Sequence, residues 1–141
     1  MKRKLLYIDI NGVLLGKADP NDAAIKLANH AEKFLSFCLE RYNCFWLTDY
    51  CKENKIDPAI ALLKGYADEG FLKLAKRIQP TRWETLKTEA INFSSDFYWI
   101  DDALLATEKE ILKTHNVFDR WIPVDTRKNP DDLILTMSRL K

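Results

Sequence analysis

The chain carries no excess of charge of one sign: 22 Lys and Arg stand against 21 Asp and Glu, a net of +1 over 141 residues. Bulk charge alone therefore cannot hold it to nucleic acid or to a membrane. Nucleic acid stays open as a partner, through a local patch, but the net charge does not point to it. Long apolar runs are also lacking. None approaches the roughly 18 residues of a bilayer span, so no membrane partner is expected. The basic and then apolar start, MKRKLLYIDI, is too short for a signal peptide, contains Asp9 and has no small-residue cleavage site. Cysteine is scarce: Cys38, Cys44 and Cys51 are odd in number and show no CxxC spacing. That argues against a disulfide framework or a zinc site and predicts free thiols in a reducing cytoplasm. His30 and His115 stand alone, and neither reads as a ligand. There is no repeat, linker or low-complexity tract, so residues 1–141 are expected to form one domain.

What is present is an alternation of short apolar runs with helical patterns. Leu5 to Asp9 reads as a strand without polar alternation, as expected of a strand buried on both faces of a parallel sheet, and it ends on a carboxylate. Asp19 as N-cap and Pro20 as first residue predict a helix running to about Arg41, with Ile25, Ala28, Ala31, Leu35, Cys38 and Leu39 as its buried stripe. Cys44 to Leu47 is a second strand closing on Thr48 and Asp49, which completes a βαβ unit and puts Thr48 at the same sheet edge as Asp9.

Residues 50–80 read as helices only, from about Asp57 to Leu63 and from Asp68 to Arg77. The spacing of Trp83, Leu86, Ala90 and Ile91 predicts a further helix from Thr81 to Asn92, with Thr81 and Glu84 as its capping box. Asp96 to Ile100 is a third strand, ending on Asp101 and Asp102, and a helix follows from about Ala103 to Lys113. Arg120 to Val124 is a fourth strand, at the edge because of Pro123. A last helix from about Asn129 would turn Leu133, Ile134, Met137 and Leu140 inward. The expected fold is a three-layer, Rossmann-like α/β domain with a mainly parallel sheet of about four or five strands.

In such sheets ligands bind beyond the carboxyl ends of the strands. Asp9, Thr48, Asp101 and Asp102 all fall there, and Lys87, on the element before the third strand, can reach the same place. A nucleophilic carboxylate, further carboxylates for a divalent ion, a hydroxyl and a cation are what phosphoryl transfer requires. Paired carboxylates repel and raise a pKa unless a dication resolves the conflict. The bland readings are a strand-end turn residue for Asp9, a helix N-cap for Asp101 or Asp102, and solvated charges for Lys87 and for the cluster Lys73, Lys76, Arg77 and Arg82.

With these residues the chain resembles the haloacid dehalogenase superfamily over nearly its whole length. That family's first motif, DxDG(T/V)L after an apolar strand, is similar to Asp9-Ile10-Asn11-Gly12-Val13-Leu14. Its Ser or Thr is matched by Thr48, its lysine by Lys87, and its acidic pair by Asp101-Asp102. The resemblance implies a Mg²⁺-dependent phosphohydrolase acting through an aspartyl-phosphate on Asp9. It further implies Mg²⁺ on Asp9, the main-chain carbonyl of Asn11 and Asp102, with Asp101 behind or sharing it. Phosphoryl oxygens would be held by Thr48 and Lys87, with Asp49 beside them and main-chain N–H groups of Asn11 and Gly12 as further donors.

Asn11 departs from the pattern. The family's phosphatases have a second aspartate there to protonate the leaving oxygen and activate water, and an amide carries no proton at neutral pH. That help is worth about 10²–10⁴-fold, roughly 3–5 kcal/mol, so a slow enzyme is expected. Asp49 is a candidate replacement. The chain has no room for a cap domain, and an open site suits a phosphorylated macromolecule or an accessible phosphomonoester. The rival reading is a catalytically weak or inactive module that binds Mg²⁺ and phosphate groups, linked to nucleic-acid end processing. A receiver-like domain fits less well, because its acidic pair and its acceptor come in the reverse order.

Overall fold

A computed structural model describes residues 2–140. Four parallel strands form one sheet: β1 (Leu5–Ile8), β4 (Asn43–Trp46), β5 (Phe97–Asp101) and β6 (Trp121–Pro123), in the order β4-β1-β5-β6. β1 is thus central, pairing Ile8 with Trp46 on one side and with Ile100 on the other. Side chains alternate between the faces, as the strand period requires. Leu6, Ile8 and Ile100 pack beneath α1 (Ala31–Arg41), α2 (Asp57–Lys64), α3 (Glu69–Ala75) and α5 (Asp132–Arg139). Tyr7, Phe97 and Trp99 pack on the opposite face with Trp83, Ile91 and Leu112, the last from α4 (Ala106–Thr114). The result is a three-layer, Rossmann-like α/β arrangement. Pro123 lies in the edge strand β6, which pairs only with β5. The three cysteines are buried and free.

Several local expectations are corrected. The helix expected from Pro20 begins only at Ala31. Asp19 instead closes a local turn, accepting the Asn21 N–H on its carboxylate at 2.9 Å. The following chain forms an antiparallel hairpin of β2 (Leu15–Gly16) and β3 (Lys26–Leu27). His30 then adopts a left-handed φ of 66°, a conformation through which no right-handed helix continues. Ile25, assigned to the buried stripe, is 38% exposed on the hairpin, while Ala28, Leu35, Cys38 and Leu39 are buried as expected.

The segment Thr81 to Asn92 is not a helix either; only Lys87–Ala90 forms a 3₁₀ turn. Hydrogen bonds to distant chain outweigh its periodicity. The Thr81 hydroxyl donates to Trp46 O at 2.6 Å and the Trp83 N–H to Lys52 O at 3.0 Å. No capping box forms from Thr81 and Glu84; the Glu89 carboxylate instead accepts the N–H groups of Glu84, Thr85 and Leu86.

The helices after β5 and β6 start later than expected, at Ala106 and Asp132. Ile134, expected on the inner face of α5, is 40% exposed. Among the described residues no helix is long and apolar enough to cross a membrane.

Candidate metal and phosphate site

Because β1 and β5 are in register, their carboxyl ends deliver Asp9 and Asp101 to the same level, and the Asp9 N–H still donates to Ile100 O at 3.1 Å. Asp102 follows directly. The carboxylates of Asp9, Asp101 and Asp102 each offer an oxygen, and these oxygens lie within 4.8 Å of one another. Asp9 and Asp101 are held from the backbone: Asp9 Oδ1 accepts the Ile10 N–H at 2.8 Å, and Asp101 Oδ1 accepts the Ala103 N–H at 3.1 Å. Their other oxygens face Lys87, whose Nζ is 2.6 Å from Asp101 Oδ2 and 3.4 Å from Asp9 Oδ2. Arg127 approaches Asp102 less closely, at 4.0 Å.

The turn after Asp9 is built to admit Asp102. Gly12 has φ +76°, and a Cβ there would lie 2.1 Å from Asp102 Oδ2. Glycine is needed twice over, for the left-handed backbone and for the close approach. The Gly12 N–H, expected as an anion donor, is committed inside the turn to Leu15 O at 2.8 Å. Thr126 clamps the same turn from the loop after β6. Its hydroxyl donates to Val13 O at 3.0 Å and its N–H to Gly12 O at 2.8 Å.

Three carboxylates face Lys87 and, more distantly, Arg127, so negative groups outnumber positive ones in this corner. Burial pushes the Asp101 carboxyl up to about 7, helped by the neighbouring Asp9. Asp102 is raised to about 6 by burial and by its contact with Asp101. Asp9 is raised as well, chiefly by burial, with Lys87 opposing. Burial works against the charge on Lys87, but Asp9 and Asp101 outweigh it and hold the ammonium above its usual range. Without a cation, protons must make up the deficit. An all-oxygen anionic donor set of this kind suits a hard divalent cation.

The carboxylates floor a cavity of about 370 Å³ whose walls include Asn11, Asp49, Lys52, Trp83, Thr85 and Arg127. Thr48 is not among its lining residues. Its side chain is buried and its hydroxyl accepts the Tyr50 N–H at 3.4 Å. The exposed cations Lys73, Lys76, Arg77 and Arg82 do not line it either.

Glu108 and Arg127 are among the lining residues that escaped the sequence reading. Glu108 is buried, and its carboxylate accepts the Lys87 N–H at 2.8 Å and the Leu105 N–H at 3.2 Å. It ties the start of α4 to the lysine. In sequence it looks like any acid in a first helical turn. Arg127 lies in an irregular loop and gives no sequence signal at all.

Comparison of the chain with family models, with curated proteins and with solved structures finds no match.

Proposed function

We propose that this protein is a Mg²⁺-dependent phosphohydrolase of the haloacid dehalogenase type. The observation that supports this best is the meeting of Asp9, Asp101, Asp102 and Lys87 in one cavity at the carboxyl ends of adjacent parallel strands.

An oxygen of Asp9 attacks phosphorus, the ester P–O bond breaks, and the leaving oxygen departs with its electron pair. Water then hydrolyses the aspartyl-phosphate and regenerates the carboxylate. Lys87 holds a phosphoryl oxygen and opposes the upward push of burial on the Asp9 carboxyl. Glu108 fixes the backbone from which Lys87 reaches. Mg²⁺ would be held by Asp9, Asp102 and the main-chain carbonyl of Asn11, and would supply neutralisation of the phosphoryl charge. Asp102 suits direct ligation better than Asp101. Lys87 Nζ sits 2.6 Å from Asp101, against 3.4 Å from Asp9, and forms no ion pair with Asp102. The Thr48 hydroxyl accepts the Tyr50 N–H in the turn after β4, and the exposed Asp49 and Arg127 line the cavity.

The open mouth favours a phosphate on a macromolecule or an accessible phosphomonoester over an enclosed metabolite. With Mg²⁺, release of phosphate from p-nitrophenyl phosphate or from a panel of phosphorylated macromolecules is expected, and Asp9→Asn should abolish it, a loss of at least about 10³-fold. Turnover that survives Asp9→Asn contradicts the reading.

A second reading, a module that binds Mg²⁺ and phosphate without turnover, is favoured by Asn11 alone. It gains if wild-type protein binds phosphate in a Mg²⁺-dependent way and releases none from any ester.

A further inference from the structure

We infer that Asp49 carries the proton that Asn11 cannot, acting as general acid and then general base in the phosphoryl transfer proposed above; the inference rests on that reading. The strands β1 and β4 are neighbours, parallel and in register at Ile8 and Trp46. Asn11 follows Ile8 by the same number of residues as Asp49 follows Trp46, so the two sit at matching places beyond adjacent strand ends. Both line the carboxylate cavity. The cavity that holds the amide of Asn11 thus also holds the Asp49 carboxyl group.

Elimination among the cavity's titratable groups leads to the same residue. Asp9 is the nucleophile, and Asp101 and Asp102 form the metal corner. Glu108 is buried with both carboxylate oxygens occupied by backbone N–H groups. Lys87 is bound to two carboxylates, and Lys52 lies over the Trp83 ring at 4.3 Å. Arg127 cannot deprotonate. Asp49 remains. It is exposed and, among the described residues, in no close ion pair, although its charge is felt by Lys87. A proton carrier needs this freedom, because it must gain and lose its proton each cycle.

The protons balance. In the first step the Asp49 carboxyl gives its proton to the ester oxygen as the P–O bond breaks and Asp9 bonds to phosphorus. In the second step the Asp49 carboxylate takes a proton from water while the water oxygen bonds to phosphorus. The Asp9–phosphorus bond then breaks, leaving inorganic phosphate, free Asp9 carboxylate and protonated Asp49.

Leaving-group dependence tests this. An alkyl alkoxide needs a proton in order to depart, whereas p-nitrophenolate hardly does. Asp49→Asn should lower kcat on an alkyl phosphate such as glycerol phosphate at least tenfold, with a loss on p-nitrophenyl phosphate at least threefold smaller. In Asn11→Asp/Asp49→Asn the alkyl phosphate turnover should return to at least the wild-type value. Equal loss on both substrates, no loss on the alkyl ester, or no recovery in the double variant overturns the proton role while leaving the phosphohydrolase standing. Failure of the wild-type protein to hydrolyse either ester removes the phosphohydrolase reading and this inference with it.

Discussion

Asp9 and Asp101, on the floor of the cavity, are buried, tied to backbone N–H groups and paired with Lys87. On its walls Asn11 is half-buried and Asp49 and Arg127 are exposed, on turns and loops rather than strands. Floor and wall thus differ in how firmly the fold specifies them. A floor residue stands where strand register and hydrogen bonds put it, and changing one should disturb its neighbours. A wall residue changes almost alone. On the proposed reading the floor holds the metal and the phosphoryl group, and the wall sets the rate.

The largest effect that would break this contrast lies at Gly12, a wall-turn residue that belongs to the floor. An alanine there must adopt φ +76° and place its Cβ 2.1 Å from Asp102 Oδ2. The backbone strain alone is about 1–2 kcal/mol, and Asp102 must move as well. Gly12→Ala is expected to lower the melting temperature by several degrees and to weaken Mg²⁺ binding at least tenfold, measured by thermal unfolding and by metal titration. Wild-type affinity in this variant would mean that Asp102 does not need its present place.

A wall substitution should act the other way. Asn11→Asp supplies a proton carrier at a half-buried position without touching the floor. Its kcat is expected to rise about tenfold or more, with the melting temperature little changed, as steady-state kinetics and calorimetry would show. A fall in kcat, or a large change in stability, would place Asn11 with the floor.

The smallest expected effect is on stability against pH. Asp101 and Asp102, raised to about 7 and about 6 from ordinary carboxyl values, bind protons more readily in the folded protein than in the unfolded one. Where the native state binds more protons, stability falls as pH rises. The metal-free protein should therefore lose a few degrees of melting temperature between about pH 4 and pH 7. The cost is absent below about pH 4, where these groups are protonated in both states. Saturating Mg²⁺ should recover most of the loss near pH 7. A metal-free melting temperature that rises across this window would contradict the crowding of the floor.

The same contrast explains what the sequence reveals. The strands β1, β4, β5 and β6 are legible because each is a short apolar run buried in the sheet, and three of them end on polar residues whose placement follows from parallel register. α2 and α3 are legible from Pro58 at the start of one and from the Asp68 cap of the other, which accepts the Phe71 N–H at 3.0 Å. The hairpin of β2 and β3 is not legible, because Asp19-Pro20 serves a helix start and a turn equally well, and the left-handed His30 leaves no mark in composition. The segment Thr81 to Asn92 has real helical spacing, but the Thr81 hydroxyl and the Trp83 N–H bind Trp46 and Lys52, partners chosen by tertiary structure. In the site, Asp9, Asp101, Asp102 and Lys87 follow from strand ends and order. Glu108 and Arg127 do not, since one resembles an ordinary helix-start acid and the other sits in a loop without a pattern. Thr48 reaches the expected sheet edge, where its hydroxyl accepts the Tyr50 N–H at 3.4 Å.

The most direct test is calorimetric titration of the metal-free protein with Mg²⁺ at about pH 6.5 in two buffers of different ionisation enthalpy. Binding is predicted, with release of about one proton as the ion displaces those held among Asp9, Asp101 and Asp102, and Asp102→Asn should weaken it at least tenfold. No binding up to about 10 mM, or binding without proton release and indifferent to Asp102→Asn, would contradict a divalent-ion site on these three carboxylates.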